Sequence, residues 1–375
     1  MAEPRRPLAF LSVPTLGLAI MLCTAAPTSS DAAPSGGVAR LAATSAATPT
    51  LAQLVGQRML VGFRGASASR TLLARIRSGQ IGGLILFSSN ITDAAQLARL
   101  TQQLQAAARA GGRPPLLIAT DQEGGLVRRL GWAPPRRSAE ELGAASAKTV
   151  KSVGRKAGIV LRDAGVNLDL APVVDVPRIS SNFIGAQHRA FAANRYAVAK
   201  DAAAFAAGLD QGGVLPTLKH FPGLGRAGAT STDDALVRIR ATRTQIVYDL
   251  LPYRVALARA VHPVIMLSTA IYPALAPRAA AWSRTIARTL LRTDLGFRGV
   301  TITDSLNAAA AVRGVGPGLL AVRSATVGID LLLVTGESSS QAAYLAVLRQ
   351  ARSGAIPLAD LEASYARILR LKGRI

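Results

Sequence analysis

From residue 51 onward, short apolar runs alternate with longer segments in which apolar residues recur every third or fourth position. The runs stand at Met59–Phe63, Gly83–Phe87, Leu116–Thr120, Val166–Ala171, Val214–Lys219, Val264–Ser268, Val300–Thr303 and Leu331–Val334. Near-continuous runs of this length predict strands buried on both faces. Between them, Ala94–Ala110 places Leu97, Leu100, Leu104 and Ala108 on one helical face. Tyr196–Gly208, Ile246–Val261 and Leu358–Leu371 carry the same spacing. No hairpin turn joins consecutive runs, so the pattern predicts parallel strands linked by helices. Eight such units over residues 50–375 predict one catalytic domain, a closed (β/α)8 barrel of the TIM type. That fold typically takes about 250 residues before insertions. A doubly wound open sheet is the alternative.

The first residues break this rhythm. Arg5 and Arg6 precede an apolar run from Leu8 to Leu22, followed by Cys23-Thr-Ala-Ala26 and a Ser/Pro/Ala stretch. A positive segment, a short apolar segment and small residues are the three parts of a secretory signal. Residues 1–33 are therefore expected to be a signal peptide and 34–49 a flexible linker. The apolar run is short for a membrane span and contains Pro14. The expected location is secreted or cell-envelope associated, with no integral span in the mature chain. Cys23 is the only cysteine, and Leu22 stands where a lipid-attachment site wants a small residue. The chain beyond it has no thiolate chemistry and no disulfide.

Composition narrows the classes further. Half of the 375 residues are hydrophobic and 17% are charged, which excludes wholesale disorder. Aromatics at 4% argue against a stacking platform for single-stranded nucleic acid, and nucleic acid is not an expected partner. The net charge of +23 is spread along the chain with no basic arm. Diffuse charge of this kind speeds encounter with any polyanion, whether nucleic acid, wall polymer or acidic lipid, but a base composition rich in Arg and Ala codons is the first explanation of it.

In a barrel, chemistry gathers where strands end at their C-terminal side. Asp121 follows the third run, and Pro172 and Asp175 follow the fourth. Lys219-His220 closes the fifth, Thr269 follows the sixth, Asp304 the seventh and Thr335-Gly336 the eighth. For Asp121 and Asp304 the plain alternative is a helix N-cap. No His/Cys/Asp cluster has metal-ligand spacing, so neither metal nor cofactor is expected. Gly223-Leu-Gly-Arg-Ala-Gly228 satisfies a dinucleotide string, but a polar loop follows it rather than a helix with a distant acid. That motif is set aside.

The longer stretch Lys219-His-Phe-Pro-Gly-Leu-Gly225 resembles the Lys-His-Phe-Pro-Gly-His-Gly signature of glycoside hydrolase family 3, in its single-domain β-N-acetylglucosaminidase branch. Ile81-Gly-Gly-Leu-Ile-Leu-Phe87 and Asp121-Gln-Glu-Gly-Gly125, with Val127 and Arg129-Leu130, resemble that family's blocks in order and spacing. So do Asn167-Leu-Asp-Leu-Ala-Pro-Val-Val-Asp-Val176 and Leu295-Gly-Phe-Arg-Gly-Val-Thr-Ile-Thr-Asp-Ser-Leu306. The resemblance implies retaining cleavage of a terminal β-linked N-acetylhexosamine, with a cell-wall-derived amino-sugar glycan as substrate and a monomeric enzyme. It implies that Asp304 is the nucleophile, kept ionised by Lys219 and nearby Arg residues. It also implies that Asp121, Arg129, Arg189, Lys219 and His220 bind the sugar. Arg189 lies in Ile184-Gly-Ala-Gln-His-Arg-Ala-Phe191, two residues longer than the family's Ile-Gly-x-Arg-Ser-Phe.

The proton donor departs from the pattern. Where the family carries Asp-Ser-His, this chain reads Thr230-Ser-Thr-Asp-Asp-Ala235 and has no histidine. Asp233, with Asp234 as second choice, is the expected substitute if burial or a neighbouring carboxylate raises its pKa. His188 lies on the loop after the fourth run and His262 before the sixth, at the wrong end. Trp132 and Tyr272 are the candidates for stacking on the sugar ring. Two other classes compete: a degenerate glycan-binding protein of the same fold, and a Schiff-base lyase using Lys219.

Overall fold

The computed structural model describes residues 48–259 and 262–375. The expected signal peptide and nearly all of the expected linker lie outside those residues. Among the described residues the first element is the helix Leu51–Gly56, started by a capping box at Thr50.

Eight strands form the sheet: β1 Met59–Gly62, β2 Gly83–Leu86, β3 Leu117–Thr120, β4 Leu168–Asp169, β5 Leu215–Phe221, β6 Val264–Leu267, β7 Thr301–Thr303 and β8 Leu332–Val334. Each pairs in parallel with its sequence neighbours from β1 through β7, and β8 pairs with β1. A single parallel bridge, Ile302 to Leu331, closes the ring between β7 and β8. The (β/α)8 barrel expected from the alternating pattern is the fold observed, and the open-sheet alternative is excluded by that closure.

Alternation along the strands divides the core in two. Leu60, Ile85, Leu117, Leu168, Leu215 and Val264 fill the barrel interior, while neighbours such as Val61, Leu84 and Ile118 pack outward against the helices. The interior is sealed at its N-terminal end by Ile368 and Leu371 of the last helix, Leu358–Lys372. The opposite end stays open.

Two expectations need correction. Gln122–Gly124 and Val127–Arg128 form an antiparallel hairpin directly after β3, where no hairpin was expected. Gly124 and Gly125 supply its positive φ angles of 104° and 54°. The helix expected over Ile246–Val261 is two helices, Arg243–Tyr248 and Leu251–Ala258, because Pro252 can only start a helix. Residues 260–261 fall outside the described chain. Among the described residues no helix is long and apolar enough to cross a membrane.

Candidate active site

The open end of the barrel holds a cavity of about 380 Å³. Asp121, Arg129, Arg189, Lys219, His220, Asp233 and Asp304 all line it, so the fold brings every predicted site residue to one mouth. They come from the ends of β3, β5 and β7 and from the loops after β3, β4 and β5.

An ionic chain forms its wall. The buried Lys219 Nζ lies 2.8 Å from Asp121 Oδ1 and 2.7 Å from Glu123 Oε1. Arg189 grips the other side of Glu123 with a two-pronged contact, Nε to Oε2 and Nη2 to Oε1, each 2.8 Å. Burial alone pushes the Glu123 carboxyl up, but the Arg189 and Lys219 charges overcome it and hold the group well below the ordinary carboxylate range. Burial likewise lowers Lys219, and Asp121 with Glu123 more than reverses that, so its ammonium is held above its usual pKa. The ion pairs of Lys219 are with Asp121 and Glu123, and it shares the cavity with Asp304. Arg129 stands 3.8 Å from Asp121 Oδ2 at the outer edge.

Asp304 is half-buried and accepts the Ser305 N–H at 2.7 Å. It is not a helix cap, since Ser305 caps the following helix through the Ala308 N–H. His220 is oriented from behind: its Nδ1 lies 2.7 Å from the buried Asp175 Oδ2, which leaves Nε2 as the ring nitrogen for the cavity. Asp175 Oδ1 also accepts the Leu224 N–H at 2.7 Å, pinning the loop after β5. The glycines of the discarded dinucleotide string serve that loop. Gly223 has φ of +136°, and a Cβ on Gly225 would stand 1.9 Å from the Val176 carbonyl oxygen.

Asp233 reaches over the mouth from this loop. The residue is exposed, yet the cavity walls partly desolvate its carboxyl, and that desolvation with the negative charge of Asp304 pushes its pKa up to about 6. His220 and Arg189 oppose the shift. Asp234 is tied to Ser231 Oγ at 3.0 Å and does not line the cavity.

Sequence reasoning missed three groups here. Glu123 sat in a quoted motif without a role, and Asp175 was noted only as a strand-end polar group. Asp169, fully buried at the end of β4, accepts the Gln122 N–H at 2.9 Å through Oδ1, and its Oδ2 has no partner among the described residues. Burial pushes that carboxyl up to about 8. The stacking candidates also change. Tyr272 is buried with its hydroxyl donating to the Gly223 carbonyl, and neither it nor Trp132 lines the cavity; Phe87 and Phe183 do. His188 turns away to pair with Glu140, at a positive φ of 55° that sets Gln187 and Arg189 toward the cavity on either side of it. Among the described residues no group of three or more His, Cys, Asp or Glu is placed to hold a metal ion.

A parallel barrel with carboxylates and a charged clamp gathered at the C-terminal ends of its strands is the architecture of a barrel glycosidase. Comparison with known proteins gives the family. Residues 50–371 match the glycosyl hydrolase family 3 N-terminal domain. An uncharacterized secreted glycosyl hydrolase of Arthroderma benhamiae is 34% identical over 335 residues, covering 87% of this chain and 94% of that protein. The structure is similar to a family 3 β-N-acetylglucosaminidase from Paenibacillus sp. at a TM-score of 0.82 and 34% identity, covering 87% of this chain but 63% of that one. It is also similar to a β-N-acetylhexosaminidase from Beutenbergia cavernae at a TM-score of 0.79 and 34% identity, covering 87% and 99%. The chain belongs to glycoside hydrolase family 3, and it is a glycosidase.

Proposed function

We propose that this protein is an exported β-N-acetylhexosaminidase that removes terminal β-linked amino sugars from cell-wall-derived glycans with retention of configuration. The observation that carries the proposal is the pairing of Asp304 and Asp233 in one cavity. One carboxylate is half-buried and fixed by a backbone N–H, and the other is exposed and raised toward neutrality. Two carboxyl groups with environments this different divide the nucleophile and acid roles.

In the first step an Asp304 oxygen attacks the anomeric carbon while the protonated Asp233 gives its proton to the departing glycosidic oxygen. The C–O bond to the leaving group breaks as the ester to Asp304 forms. In the second step the ionised Asp233 takes a proton from water, whose oxygen attacks the same carbon and releases Asp304. Asp121 accepts from sugar hydroxyls, and Arg129, Arg189 and the His220 Nε2 face donate to or orient sugar oxygens. Lys219 and Glu123 hold those groups in register. The charged state of Lys219 speaks against a Schiff base, which needs a free amine.

Turnover of an aryl β-N-acetylglucosaminide, with product stereochemistry followed by NMR, tests the proposal. The expected results are a β-configured first product and loss of turnover in Asp304→Asn. An α-configured product, or binding of substrate with no turnover, overturns it, and the latter outcome returns the glycan-binding alternative.

A further inference from the structure

Part of the positive charge that looks diffuse in the sequence stands together at the end of the barrel opposite the mouth. A recess of about 300 Å³ opens there between the starts of β6 and β7 and the last helix. Arg298, Arg367, Arg370, Arg374 and His262 line it, together with small and apolar groups and no carboxylate. Asp330 holds Arg367 at 2.7 Å and Asp210 holds Arg374 at 2.6 Å, which fixes two guanidinium planes along the rim. Arg298 and Arg370 are exposed, and among the described residues neither makes an ion pair or side-chain hydrogen bond.

Folding calls for Arg367 and Arg374, which pair with Asp330 and Asp210, but gives Arg298 and Arg370 no carboxylate partner among the described residues. Arg367 and Arg370 stand three apart on the last helix and Arg374 lies just past its end, so like charges are brought close together. A helix C-terminus favours nearby cations, which accounts for Arg370 and Arg374. It does not account for Arg298 and His262, which arrive from other elements. We infer that the recess is a docking site for a linear, base-free polymer of repeated phosphate groups, the polyanionic part of an envelope glycopolymer, an environment that rests on the export proposed above. Guanidinium forks match pairs of phosphate oxygens. No aromatic side chain lines the recess to stack on unpaired bases or to sit at a bilayer surface, which sets single-stranded nucleic acid and lipid below a plain polyphosphate-like chain. Docking at this end leaves the catalytic mouth free for glycan, and it does not depend on the hydrolytic assignment above.

Fluorescence anisotropy with a labelled inorganic polyphosphate tests the site on the full chain. Arg298→Ala/Arg370→Ala is expected to weaken binding about tenfold or more and to lower the slope of log affinity against log salt by about 2. Arg99→Ala/Arg349→Ala removes the same charge from exposed positions on the outer helices and is expected to change binding less than about twofold. Thermal unfolding checks that both variants are folded, independently of any activity, and Arg298→Lys/Arg370→Lys is expected to retain most of the binding. Equal loss in the two alanine pairs, or no loss in the first, overturns the inference. Tighter binding to duplex DNA or to phosphatidylglycerol vesicles than to polyphosphate, with the same dependence on Arg298, also overturns it.

Discussion

Glu123 shows how much one buried carboxylate controls in this site. It accepts Lys219 on one oxygen and is shared by both prongs of Arg189, so removing its charge leaves two cations facing each other in a buried wall. Glu123→Gln is expected to cost about 3–5 kcal/mol in urea unfolding, the scale for a broken buried pair. The same variant is expected to raise KM more than it lowers kcat, because the clamp rather than the reacting atoms is disturbed. The pH dependence has a definite sign. The folded pKa lies below the ordinary 4.5, so this contribution is complete above that value and drains away as pH falls beneath it. Asp233 titrates in the opposite sense. A proton donor with a pKa of about 6 makes kcat/KM on an unactivated glycan fall as pH rises through that region. Asp233→Asn is expected to remove that limb and to slow poor leaving groups by about 10²–10⁴, with a smaller effect on an activated aryl glycoside. A flat wild-type profile between pH 5 and 8 on the unactivated substrate would count against the assignment. The placement of Asp304, Asp121 and Lys219 at the mouth was legible in the sequence, because the first two directly follow an apolar run and Lys219 closes one. Glu123 and Asp175 were not, since their partners are 66 and 45 positions away and no local periodicity points to them.

At the scale of elements, the strands were legible because a strand covered on both faces leaves an uninterrupted apolar run. The hairpin after β3 was not legible: its strands are three and two residues long and carry Gln, Glu and Arg instead of an apolar stripe. The last helix was found nearly to its ends, yet what it buries follows only from the fold. Lys372 is enclosed at its C-terminus, donating to Gln57 Oε1 at 2.7 Å and to the Gly82 carbonyl at 2.8 Å. Burial lowers its pKa to about 7 from the usual 10.5. Between those values the unfolded chain carries a proton that the folded chain lacks, so stability rises with pH across the window and is lowest below about 7. The stability difference between wild type and Lys372→Met is therefore expected to grow in favour of wild type from pH 7 toward pH 10. The upper limit is about 1.4 kcal/mol per pH unit, and paired urea titrations read it directly. A difference that stays constant over that range would show that Lys372 titrates as it does in the unfolded chain.

The whole molecule separates its tasks along the barrel axis. The candidate site residues collect at the C-terminal ends of the strands, while the other end is closed by packing and by the buried Asp330, which accepts from Arg292, Arg367 and the Thr301 N–H. Closure itself was only partly legible, because eight alternating units fit a barrel but the Ile302–Leu331 bridge that completes it is a tertiary fact. The separation makes a prediction that a mixed arrangement would not. Ile368 sits in the interior cluster at the floor of the barrel and is fully buried, with the length of the β-strand layer between it and the cavity lined by Asp304. Ile368→Ala removes three carbons from a packed interior and is expected to destabilise by about 2–5 kcal/mol in urea unfolding. Below its unfolding transition, KM and kcat on an aryl glycoside are expected to stay within about twofold of wild type, because the floor contributes rigidity and no contact to substrate. Loss of kcat in parallel with stability would mean that the floor and the mouth share one network. The division of labour drawn here from the two ends of the barrel would then be wrong.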